Sequence, residues 1–95
     1  MPSYRMTIDV GQIRSGVTAP DVLPLVAAAI ARRTTVEANE IKISAGRPQL
    51  VIRFTGTDPA FAKATVQESL ADIDATIEVV AVQVTARHKN RWYAI

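Results

Sequence analysis

No cysteine occurs in this chain, which excludes a disulfide framework and thiolate chemistry. Histidine occurs once, at His88, so a zinc site would rest on one imidazole plus carboxylates, an uncommon ligand set. No metal and no cofactor is therefore expected. Long apolar runs are missing too. The longest, Val22–Ala31, is ten residues, short of the ~20 needed to cross a bilayer. There is no basic start followed by an apolar stretch, so no signal peptide is read and the expected location is cytoplasmic. The formal charge of +2 is too small to imply nucleic acid by itself.

What is present is 48% apolar residues in 95, enough for one small globular domain spanning residues 1–95. Tyr4, Met6, Ile8 and Val10 alternate with Arg5, Thr7 and Asp9, the period of a strand with one buried face. A glycine-bracketed segment, Gly11–Gly16, reads as a flexible loop. A helix around Val22–Arg33 follows; with Asp21 as its N-cap, Pro24 falls at the third helical position, where a missing N–H is harmless. Glu40–Ser44 and Gln49–Thr55 read as a hairpin around Ala45-Gly46-Arg47-Pro48. Asp58 caps a second helix opened by Pro59, with Ala62, Val66, Leu70 and Ile73 on one stripe. A strand over Thr76–Thr85 completes the pattern, and Arg91–Ile95 offers a further short strand. The order is βαββαβ. The expected fold is α+β, a ferredoxin-like sandwich with an antiparallel sheet and both helices on one face.

Two places are more apolar than a monomer needs. From Val22 to Ala31 the first helix carries no polar side chain, and a helix apolar all round is normally covered all round. In the last strand, Ile77, Val79 and Ala81 lie on one face and Val80, Val82 and Val84 on the other. Either a bulge switches the buried face between Val79 and Val80, or both faces are covered. Together these favour a homo-oligomer, with sheets stacked or joined at their edges.

Candidate chemistry is sparse. The open face of the sheet should carry Arg5, Thr7, Asp9, Val51, Arg53 and Thr55, and Asp9 and Arg53 could pair across it. No aromatic is expected there, which counts against base stacking on the sheet. The densest polar and aromatic segment is the tail, where Arg87, His88, Lys89, Arg91 and Trp92 form a candidate binding group. The role favoured over binding is a solvated turn followed by an aromatic anchor that packs the C-terminus onto the body or a neighbouring subunit.

Pro2 followed by a strand, a Gly11…Arg14-Ser15 loop, a helix and a parallel strand resembles the tautomerase superfamily. That resemblance covers about half the chain and lies in topology. It implies that Pro2, freed of Met1, acts as a general base and that Arg14 binds a substrate carboxylate. The immediate hairpin after the second strand departs from that family's pattern.

The function read from the sequence is a small homo-oligomeric interaction or small-ligand-binding module. A tautomerase-like enzyme using Pro2 is the alternative, nucleic-acid binding through the tail ranks last, and no membrane partner is expected.

Overall fold

The computed structural model describes all residues, 1–95. Its elements are β1 (Ser3–Ile13), α1 (Ala19–Ala31), β2 (Val36–Ser44), β3 (Arg47–Thr55), α2 (Pro59–Asp74), β4 (Ile77–His88) and β5 (Arg91–Ala94). The five strands form one sheet in the order β2-β3-β1-β4-β5, and every neighbouring pair is antiparallel. This is a ferredoxin-like α+β sandwich with a fifth strand added by the tail.

Alternation along β1 and β3 divides the sheet into two surfaces. Tyr4, Met6, Ile8, Leu50, Ile52 and Phe54 turn to the helices and are almost wholly buried. Val22, Val26 and Ile30 of α1 and Ala62, Val66 and Ile73 of α2 close over them. Burying each of the larger side chains stabilises the fold by ~1.5–3 kcal/mol. Small residues let the helices approach: Ser69 is fully buried and its hydroxyl donates to the Thr65 carbonyl at 2.7 Å. At the rim, Arg32 reaches Asp72 at 3.0 Å, an exposed pair of the kind that contributes under ~1 kcal/mol.

The helix starts differ in how well the sequence marks them. Asp58 caps α2 as expected, its carboxylate accepting from the Phe61 N–H at 2.8 Å. By contrast α1 begins earlier than the expected cap at Asp21. Thr18 is its N-cap, Pro20 sits in the first turn and Pro24 lies inside the helix. Pro24 leaves the Pro20 carbonyl without its usual donor, a loss that water can make good because Pro20 is exposed. Asp21 turns instead to accept from the Thr18 hydroxyl at 2.7 Å.

Two further expectations change in detail. The segment Gly11-Gln12-Ile13 is strand rather than loop, held by the Gln12 N–H donating to the Glu78 carboxylate at 3.1 Å. A side chain at Gly11 would collide with that carboxylate. The β2–β3 turn contains only Ala45 and Gly46, at φ of 52° and 75°. Positive φ at both central residues suits the twist of a two-residue hairpin.

The two-faced β4 is explained by a bulge. Ala81 pairs with Asp9 and Val79 with Val10, leaving Val80 as the extra residue. Ile77 and Val79 therefore share the helix-covered side with Val82 and Val84. The bulge accounts for the pattern without a partner. The bare side of α1 remains: Pro24, Leu25, Ala28 and Ala31 are exposed.

Candidate functional site

The face away from the helices carries the chemistry. Arg5 of β1 and Arg53 of β3 are direct partners across the two strands. Like charges in that position repel, and two groups relieve them. Trp92 of β5 lies over Arg5, with the guanidinium carbon 4.0 Å from the ring centroid, and Arg53 is 5.8 Å from the same ring. Glu37 accepts from Arg53 Nε at 3.2 Å and from the Ser3 hydroxyl at 2.7 Å.

Each of these side chains is placed by backbone register. Val36 pairs with Phe54 and Ala38 with Arg53, so Glu37 is the extra residue of a bulge. Bulges re-aim side chains, and this one turns Glu37 onto the open face. Lys89 and Asn90 take positive φ of 48° and 67°, making a tight turn that sets Trp92 opposite Arg87. Thr85, two residues before Arg87, opposes Arg5. Trp92 is thus delivered to the Arg5 surface by parity alone. The expectation of a face without aromatics is corrected: the register of β5 puts one there.

Arg5, Arg53 and Val51, with Ala38, Asn39 and Glu40 of β2, line a concavity of 230 Å³. Val51 is its floor, only 5% exposed although it faces away from the core. The Arg5 Nε is buried and has no hydrogen-bond partner. A buried donor without a partner is costly, the more so on a charged group. Glu40 is occupied by Lys42 at 3.4 Å and Glu37 by Arg53. The hydrogen bond from Ser3, followed by the nearby Arg53, holds the Glu37 carboxyl below the usual carboxylate range despite opposing desolvation. Glu37 therefore stays an anion, yet Arg5 has no carboxylate of its own.

The pairing expected between Asp9 and Arg53 does not form. Asp9 opposes Gln49, whose amide donates to it at 2.6 Å, while Arg53 opposes Arg5. Asp9 and Gln49 instead line a smaller hollow of 130 Å³ with Thr7, Ala81, Val82 and Gln83.

The tail candidates are divided between surfaces. Arg87 and Trp92 share the open face, where Arg87 is held by Asn90 at 2.7 Å. His88 and Arg91 pair on the opposite face, His88 edge-on to Tyr93 with ring centroids 6.4 Å apart. Lys89 occupies the turn.

Pro2 and Arg14 are not brought together in one chain. Pro2 precedes β1, exposed, its carbonyl accepting from the Gly56 N–H at 3.2 Å. Arg14 follows β1, with its guanidinium on Asp74 at 2.8 Å. The strand between them has 11 residues, so at ~3.3 Å per residue they stand about 35 Å apart.

No protein-family model matches the chain, and no curated protein matches it in sequence. Solved structures do match in shape. The C-terminal domain of the MgtC protein from Mycobacterium tuberculosis superposes with a TM-score of 0.59 at 16% identity, covering 96% of this chain and 93% of that one. A NIPSNAP domain protein from Burkholderia xenovorans gives 0.54 at 13% identity, covering 93% of each chain. PH0061 gives 0.54 at 17% identity over 99% of this chain but only 57% of its own. At such identities the likeness is one of fold. No helix is long and apolar enough to cross a membrane.

Proposed function

We propose that the protein is a small-ligand-binding module, acting as a homo-oligomer, whose ligand is a small carboxylate or phosphate held on the open face by Arg5 and Arg53 beside Trp92. The observation that carries this reading is the Arg5 guanidinium. Its Nε is buried without a partner, it stacks on Trp92, and it borders a concavity of 230 Å³. An oxyanion entering the concavity would meet the Arg5 guanidinium, a cation that no carboxylate neutralises, in a charge-assisted contact. The stacked indole would hold the guanidinium plane in place meanwhile.

The division of the tail cations between two faces supports a small anion over a nucleic acid, which would need a continuous basic track. The distance between Pro2 and Arg14 gives the tautomerase-like alternative no support within one chain.

Trp92 is the only tryptophan, so its fluorescence reports on the site directly. Titration with inorganic phosphate and with succinate should change the emission of the native protein at millimolar concentration or below. Arg5→Ala should abolish the response, whereas Lys63→Ala, on the exposed side of α2, should leave it intact. Emission unchanged by either anion, with no heat of binding by calorimetry, would reject the reading.

A further inference from the structure

The sheet has two free edges, and they are unlike. On one side β4 carries the Val80 bulge and is partly covered by β5. Bulges and short edge strands blunt an edge against pairing. On the other side lies β2, nine residues long and exposed over eight of them, with its only irregularity at the Val36–Ala38 end. Ile41 and Ile43 stand out from it, 53% and 72% exposed.

The turn determines which main-chain groups of β2 are unused. Ser44 and Arg47 flank a two-residue turn and so form a hydrogen-bonded pair. Hydrogen-bonded and non-hydrogen-bonded pairs alternate along antiparallel strands. Lys42 and Glu40 therefore bond inward to Gln49 and Val51 of β3. Asn39, Ile41 and Ile43 turn their N–H and C=O groups outward, to the free edge.

We infer that β2 pairs with β2 of a second copy, antiparallel about a two-fold axis through Ile41, doubling the sheet with all helices on the same side. Charge and hydrogen bonding select this register. An axis through Ile41 sets the outward residue Ile41 opposite its copy and Asn39 opposite Ile43, giving about six main-chain hydrogen bonds. It also sets Glu40 opposite Lys42 twice, in close pairs of ~4.5 Å between Cα atoms. An axis through Glu40 or Lys42 would oppose identical charges. An axis between residues would oppose outward groups to inward ones.

Pairing also covers apolar surface. Ile41 forms one wall of a groove of 190 Å³, mostly apolar, with Val10, Ile13, Val22, Pro48 and Leu50. The second copy's Ile41 arrives beside that wall. On the open face, Lys42 of the second copy comes opposite Glu40, which lines the concavity holding Arg5 and Arg53. Each copy thereby adds a cation to the rim of the other's site. The association itself does not depend on the anion reading and is measured without any ligand.

Sedimentation equilibrium of the full chain tests it. The native protein should be a dimer at tens of micromolar. Glu40→Lys alone opposes cation to cation, and Lys42→Glu alone opposes anion to anion, so each should weaken dimerisation about tenfold or more. Both positions are exposed, and circular dichroism should show both variants folded. Mixed together, the two variants should form a heterodimer, because every mixed pair again joins opposite charges. A monomeric native protein, single variants that remain dimers, or a mixture that stays monomeric would each overturn the inference.

Discussion

The two faces of this sheet are made from the same strands, residue by residue in turn, and differ in nearly every physical respect. Met6 is wholly buried in the apolar core; Arg5, its neighbour, stacks on an indole and keeps a buried nitrogen without a partner. The helix-covered face is close-packed at its centre, over β1 and β3, and open at its edge, where Ile41 and Ile43 of β2 are exposed. The open face is polar, held by pairwise contacts at its surface, and unfinished at Arg5. A close-packed apolar centre is built for stability, and a guanidinium without a carboxylate beside a concavity has capacity left for a ligand.

The difference should be largest in stability. Phe54→Ala removes a ring that is wholly buried and lies 6.0 Å from Tyr4 between centroids. It should cost ~3–5 kcal/mol through lost burial and the cavity left behind, read as a lower midpoint in urea. Arg53→Ala, one residue earlier, should cost within about 1 kcal/mol. If the two costs were alike, the open face would be part of the structural core and the contrast would fail.

Most of the covered face was legible from period alone. Tyr4, Met6, Ile8, Leu50, Ile52 and Phe54 announce themselves by alternation, and Ala62, Val66 and Ile73 by helical spacing. The open face was legible only as a set of strand positions. Its geometry depends on one-residue events that hydrophobic patterns do not record. The bulge at Glu37 brings a carboxylate to Arg53 and the tight turn at Lys89-Asn90 brings Trp92 to Arg5. Asp9 and Arg53 share a face, as expected, yet stand at different levels of it, because pairing follows register and not face. The β4 pattern had two readings, and only the strand register separates them. The start of α1 lies earlier than the pattern predicts, because Pro24 reads as a boundary although Pro20 already opens the helix.

A smaller effect should come from the tail, which touches both faces. Trp92 is half-buried against Arg5, while Ile95 packs against the covered core and its N–H donates to the Val84 carbonyl at 3.3 Å. Removing residues 91–95 should lower stability by about 2 kcal/mol, from partial burial at ~25 cal/mol per Å² and the lost cation–π contact. Trp92→Leu should retain part of that stability and lose the anion response if the indole is what orients Arg5. A tail deletion that left the melting temperature unchanged would remove β5 from the fold's energetics and leave the indole as a surface ornament.

The smallest effect, and the one most specific to the open face, is its dependence on pH. Glu37 titrates below the ordinary carboxylate range because the Ser3 hydroxyl and then Arg53 favour its charged form. A carboxyl with a depressed pKa in the folded chain stabilises the fold at pH values above the unfolded carboxylate pKa, ~4.3. That contribution is lost as the pH falls through the folded value. Native protein should therefore lose stability between about pH 5 and pH 3 more steeply than Glu37→Gln, with the two curves converging at the acid end. The covered face offers no such acid, since its buried members are apolar apart from hydroxyls. Urea midpoints measured across that range in both proteins isolate Glu37, because all other carboxylates are common to the pair. Parallel curves would mean that neither Ser3 nor Arg53 favours the charged form of Glu37 in the folded chain. Steeper loss in the native protein would show that the Ser3 hydroxyl, and after it Arg53, hold Glu37 as an anion on the open face.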